Sequence, residues 1–245
     1  MSVASHERIL VALDTPDADR ALALADALAG RVGGFKIGGE LFTSHGMPVV
    51  HEVLGMGHTV FLDLKFHDIP NSVAGAAAAA GRAGVSMFTV HALGGAEMIR
   101  RAASAAAEAA RAAGKRVPRL LAVTVLTSHD DATLEDIGLA GPCSAAVLRL
   151  VALAREAGAH GVVCSPLEVA AVRGAFPAGL LVVPGIRPAR GAETRGDDQS
   201  RVATPEQAVR AGADRLVIGR PITHAADALA AAAAIVEEIR RGERA

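Results

Sequence analysis

Short apolar runs rich in Val, Ile and Leu recur along the chain at 9–13, 34–37, 59–66, 85–90, 120–126, 161–164, 180–183 and 216–218, each with the length and composition of a buried strand. Ala-rich stretches with helical periodicity lie between them, at 17–29, 73–82, 96–113, 144–157, 205–211 and 225–241. Strands apolar on both faces and separated by helices demand a parallel sheet covered on both sides. Eight such repeats, without a break in composition or a long linker, favour closure into one (β/α)8 barrel over 1–245 rather than an open doubly wound sheet.

The third run breaks the apolar rule. Period-2 geometry over 59–66 sends Phe61, Asp63 and Lys65 to one face and Leu62, Leu64 and Phe66 to the other. One face therefore ends in an ion pair, Asp68 follows three residues after Lys65, and Pro70 is suited to open the next helix. In barrels of this class, active sites gather where the strands end. The predicted ends carry Asp14, Lys36, Asp63 with Lys65, His91, Thr127 with Ser128, Ser165, the run Pro184-Gly185-Ile186-Arg187, and Gly219 with Arg220. An isolated Asp-x-Lys is ordinarily a buried ion pair or a solvated strand end. Lys36 and Asp14 on neighbouring strands reverse that reading, because charges crowded at one mouth cost desolvation unless they pair.

The ends of strands seven and eight are where barrels commonly bind phosphate. Gly219 leaves room for a phosphate to approach backbone N–H groups, and Arg187 and Arg220 each offer a forked donor. The polar segment 187–201 has no apolar rhythm and reads as a lid, with Gln199 as a side-chain donor from it. His67, His91 and His129 share no metal-ligand spacing, so no metal site is expected, and 129–131 reads as a solvated turn opening a helix.

Composition narrows the class further. Of 245 residues, 51% are hydrophobic, with no Trp or Tyr and six Phe, so the core must be aliphatic. A net charge of -1 without a basic block argues against nucleic acid as a partner. No apolar run is long enough for a membrane span and the first eight residues lack signal-peptide order, so a cytoplasmic protein is expected. Cys143 and Cys164 are too few and too isolated for a disulfide framework and read as packing residues.

The ordered motifs resemble those of the orotidine 5'-phosphate decarboxylase family in its compact bacterial form, over nearly the whole chain. The resemblance rests on Ala12-Leu13-Asp14, Phe35-Lys36-Ile37-Gly38, the run from Phe61 to Ser72, Val90-His91-Ala92, Val123 to Ser128, Gly161 to Ser165, Pro184 to Arg187, Asp198 to Arg201 and Val217 to Ile222. It implies a homodimer that converts orotidine 5'-phosphate to UMP and CO2 in pyrimidine biosynthesis without a cofactor. Lys36, Asp63 and Lys65 would join Asp68 of the partner subunit in an alternating Lys-Asp-Lys-Asp array. Lys65 would protonate C6, Asp63 would crowd the substrate carboxylate, and Lys36 would orient Asp63 and the ribose. Asp14 would bind ribose hydroxyls, Ser72 would reach the partner's ligand, and Thr127 with Ser128 would read the pyrimidine edge. Ile69 and Pro184 are further substrate-binding positions, and Arg187, Gln199, Gly219 and Arg220 correspond to the phosphate clamp and lid. One departure is a lid a few residues longer than the family's, with Arg190 and Arg195 in addition.

Two alternatives compete. A sister branch acting on sugar phosphates shares Asp-x-Lys-x-x-Asp but uses Mg2+, with a Glu after strand two. Lys36 opposes it, since an ammonium cannot ligate a cation. The other is a silent nucleotide-binding barrel, which the complete charged array opposes.

Overall fold

The structure is a computed structural model that describes residues 3–189 and 201–244. Its parallel strands are β1 (Ile9–Ala12), β2 (Gly34–Ile37), β3 (Val60–Phe66), β4 (Met87–His91), β5 (Arg119–Val123), β6 (Gly161–Val163), β7 (Leu180–Val183) and β8 (Arg215–Ile218). They pair in chain order and β8 closes on β1, with Leu10 beside Val217, so the eight strands form the barrel expected from the repeat. Around it lie α1 (Ala18–Ala27), α2 (Gly39–Gly55), α3 (Pro70–Ala83), α4 (Gly95–Ala112), α5 (Asp131–Asp136), α6 (Cys143–Glu156), α7 (Val169–Ala175), α8 (Pro205–Arg210), α9 (Arg220–Thr223) and α10 (Ala228–Glu243).

Alternation along each strand divides the apolar residues into two layers. On β1, Ile9 and Val11 face the helices, while Leu10 and Ala12 face the barrel axis. The inner layer is a small plug of Leu10, Ala12, Phe61, Met87, Leu121, Val182 and Val217. It fills the barrel below the C-terminal mouth and leaves the side chains beyond it to line a cavity. Burying each Val, Leu or Phe contributes about 1.5–3 kcal/mol, so this plug is a firm floor.

The Ala-rich helices dock closely, as their small side chains allow. A Cβ on Gly81 of α3 would stand 2.3 Å from the carbonyl oxygen of Ala106 in α4, so only glycine permits that approach. Pro70 opens α3 at its first turn, where its missing N–H costs nothing, and Gly84 caps the helix at φ 84°.

Helix α2 was not among the helices read from periodicity. Gly46 has φ 64° and ψ -152°, and Pro48 follows, so two helical arms meet at a kink and no single 3.6-residue stripe runs through them. Strand β5 is shorter than its apolar run: pairing ends at Val123, and 124–128 leave the sheet toward the mouth. Among the described residues, no helix is long and apolar enough to cross a membrane.

Candidate active site

Lys36, the last inward-facing residue of β2, is 7% exposed and projects above the inner plug. Its Nζ lies 2.8 Å from Asp14 Oδ1 and 3.9 Å from Asp63 Oδ2. Lys65 Nζ lies 2.9 Å from that same Asp63 oxygen. Asp14, Lys36, Asp63 and Lys65 thus form one unbroken chain of alternating charge across three strand ends.

Lys65 reaches this position by a bulge rather than by the regular alternation expected from sequence. Pairing between β3 and β4 shifts between Leu62 and Phe66, and Lys65 has φ 49°, the single positive φ of a non-glycine residue among those described. Backbone held in the left-handed region is costly for a lysine and clusters at functional sites. Thr89 supports the bulge: its hydroxyl accepts the Lys65 N–H at 2.8 Å and donates to Asp63 Oδ1 at 3.0 Å. Sequence reasoning missed Thr89, although a fully buried polar residue amid the apolar run 85–90 was the available signal.

The missing side chain of Gly38 makes room for the array. A Cβ there would stand 2.8 Å from Lys36 Nζ and 3.0 Å from Asp14 Oδ1.

The charged chain borders a cavity of about 740 Å³ whose wall also includes Thr127, Ser128, Pro184, Arg187, Gly219 and Arg220. Ten of the positions singled out from sequence therefore meet around one space, as the strand ends required. Gly219 precedes the first turn of α9, and a Cβ on it would make only ordinary contact, at 3.6 Å, with Ala12. Packing within the barrel therefore does not account for that glycine.

Asp68, Ile69 and Ser72 do not line the cavity of their own chain and are exposed. Asp68 Oδ1 accepts the Ile69 N–H at 2.6 Å, which holds this acidic turn beside the start of α3. Gln199, with Arg190, Arg195 and the centre of the expected lid, lies outside the described residues. The base of that segment is described: Arg187 N donates to Ala203 O at 2.9 Å and Ala203 N donates to Gly185 O at 3.2 Å.

Two polar strand ends turn away from the cavity. Ser165 is fully buried and caps a single 3-10 turn, Pro166–Glu168, accepting the Leu167 N–H. The His91 ring stacks on His67 at 5.4 Å, and its Nδ1 accepts the Leu93 N–H. Burial, aided by the neighbouring His67, Lys65 and His129, lowers the His91 pKa to about 4. Both cysteines are buried free thiols, and burial pushes Cys164 up to about 12, the state of a packing residue rather than a nucleophile. Among the described residues, no group of three or more His, Cys, Asp or Glu side chains is arranged to hold a metal ion.

Fold and site together define a (β/α)8 barrel with a lysine–carboxylate array at its C-terminal mouth, opposite an arginine-lined pair of strand ends. A family model described as "Orotidine 5'-phosphate decarboxylase / HUMPS family" matches residues 7–235, and the chain belongs to that family. It is 57% identical over 240 residues to the orotidine 5'-phosphate decarboxylase of Halorhodospira halophila, covering 98% of each chain. Its identity to that of Alkalilimnicola ehrlichii is 53% over 236 residues, covering 96% of this chain and 97% of the other. Among solved structures, the orotidine 5'-phosphate decarboxylase of Lactobacillus acidophilus superposes with a TM-score of 0.79 at 39% identity, covering 94% of this chain and 98% of that one.

Proposed function

We propose that this chain decarboxylates orotidine 5'-phosphate to UMP and CO2 in pyrimidine biosynthesis, with no metal or organic cofactor. The observation that carries the mechanism is the unbroken Asp14–Lys36–Asp63–Lys65 chain above an apolar floor. Losing CO2 leaves the electron pair of the C6–carboxyl bond on C6, in the plane of the pyrimidine ring, where the π system cannot take it up. A fixed cation aimed at C6 is what this intermediate needs. In this reading the Lys65 ammonium stabilises the carbanion and then gives it a proton. Asp63, held by Thr89 and both lysines, stands where the carboxylate leaves. Lys36 and Asp14 take the ribose hydroxyls, and Thr127 with Ser128 reads the pyrimidine edge, beside Pro184.

The phosphate falls to Arg187, Gly219 and Arg220, with Gln199 as a donor from the segment above them. Remote binding energy of this kind accelerates the reaction when it is expressed in the transition state. The exposure of Asp68, Ile69 and Ser72 beside the mouth favours a homodimer in which Asp68 and Ser72 complete the partner's site. We place the enzyme in the cytoplasm.

The test is the fall in absorbance as orotidine 5'-phosphate becomes UMP, with purified protein and EDTA present. Rapid turnover supports the reading. No turnover, with activity on a sugar phosphate appearing when Mg2+ is added, would move the chain to the sister branch.

A further inference from the structure

Glu168 lies on the turn after β6 and Arg201 in the segment after β7, 33 residues on, and their side chains meet in the interior, 8% and 12% exposed. Arg201 Nη1 donates to Glu168 Oε1, and Glu168 Oε2 accepts the Ser165 N–H at 3.0 Å. The second arm of the guanidinium, Nη2, donates to the carbonyl oxygen of Leu126 at 2.8 Å. That carbonyl also accepts the His129 N–H at 3.0 Å, closing a four-residue turn whose two central residues are Thr127 and Ser128. Leu126, Thr127 and Ser128 all line the cavity.

A buried ion pair is weak evidence for stability, since apolar replacements of similar volume are often neutral or better. Burial here raises the Glu168 pKa, with Arg201 and the Ser165 N–H opposing the rise, so the carboxylate is held at a desolvation cost. What the pair secures is geometry. Its bonds join three loops, and one of them ends on the carbonyl that sets the orientation of the 126–129 turn. Arg201 thus adds a second, charged donor to the carbonyl that already closes the turn's own i to i+3 hydrogen bond.

We infer that Glu168 and Arg201 are a positioning pair for the ring end of the cavity, fixing through Leu126 the turn that presents Thr127 and Ser128 to the substrate base. The inference rests on the proposed reading of that turn as the pyrimidine contact. The hydrogen bonds of the pair lead to Ser165 and to the Leu126 carbonyl, at the turn of Thr127 and Ser128, so its effect falls on the base rather than on the ribose phosphate.

Two ligands separate those ends. UMP carries base, ribose and phosphate, whereas ribose 5-phosphate lacks the base. Arg201→Gln is expected to weaken UMP by about tenfold or more, the scale of one charge-assisted hydrogen bond, while ribose 5-phosphate stays within about twofold. Arg201→Lys, which keeps one donor, should recover part of the UMP affinity. If an unpaired buried carboxylate prevents folding, the double variant Glu168→Leu/Arg201→Met, apolar at both positions, carries the same comparison. Equal weakening of both ligands, or no change in either, overturns the positioning role. Turnover of orotidine 5'-phosphate by the unaltered chain is measured alongside: its absence rejects the functional reading itself, whereas turnover with equal ligand losses rejects only the role of the pair.

Discussion

The Thr89 hydroxyl donates to Asp63 Oδ1 at 3.0 Å while Lys65 Nζ occupies the other carboxylate oxygen at 2.9 Å. Asp63 is thereby fixed between a neutral donor on one strand and a cation on its own. Thr89 also accepts the Lys65 backbone N–H, so one hydroxyl orients both members of the pair. Thr89→Val keeps the shape but removes that hydroxyl. We expect kcat to fall by about 10- to 100-fold, the equivalent of a hydrogen bond to a charged group worth about 1.5–3 kcal/mol. Steady-state kinetics checks this; unchanged kcat would leave Thr89 a packing residue.

Gly38 has φ -98° and ψ -172°, an extended conformation open to any residue, so the glycine is not there for backbone freedom. An alanine Cβ would instead press on Lys36 Nζ and Asp14 Oδ1. Gly38→Ala should leave the thermal midpoint within a few degrees yet lower kcat/KM by about 100-fold, because a misplacement near 1 Å in an electrostatic site is that costly. Loss of both properties together would point to a structural role.

The dimer reading has its own experiment. Lys65→Ala removes the proposed proton donor, and Asp68→Ala removes a carboxylate proposed to serve the other subunit. Each homodimer should be nearly inactive while UMP still binds to Lys65→Ala. Mixing the two should restore part of the activity as subunits exchange, since one site in each hybrid regains both groups. Exchange without recovery would show that Asp68 serves its own chain.

His91 gives a pH signature with a definite sign. Its pKa is lowered from 6.5 to about 4, chiefly by burial, so between those values the unfolded chain binds a proton that the folded chain does not. Stability therefore declines as pH falls from 6.5 toward 4 and the decline from this group levels off below that range. His91→Gln should flatten this limb relative to the unaltered chain in urea titrations across pH 4–7. His160, also lowered by burial, contributes with the same sign and remains in both proteins, so the difference isolates His91. Identical slopes would exclude His91 as the source.

The sequence by itself determined the barrel and the roster of its mouth. Eight apolar runs separated by helical periodicity leave few ways to bury both faces of every strand, and strand ends in such a barrel converge, so Asp14, Lys36, Asp63, Lys65, Thr127, Ser128, Pro184, Arg187, Gly219 and Arg220 were legible together. Only the tertiary structure decided the geometry that makes them a site. Period-2 alternation predicts the correct face for Lys65 but contains no signal for the bulge and the φ of 49° by which the residue reaches it, because a bulge is set by the mismatch between two strands and not by either alone. Thr89, Gly38 and the Glu168–Arg201 pair were illegible as parts of the site for the same reason. Each acts on residues 2 to 75 positions away in sequence, through hydrogen bonds and close approaches that exist once the barrel has closed. Local pattern reports the burial a residue needs, while the partner that satisfies it comes from packing.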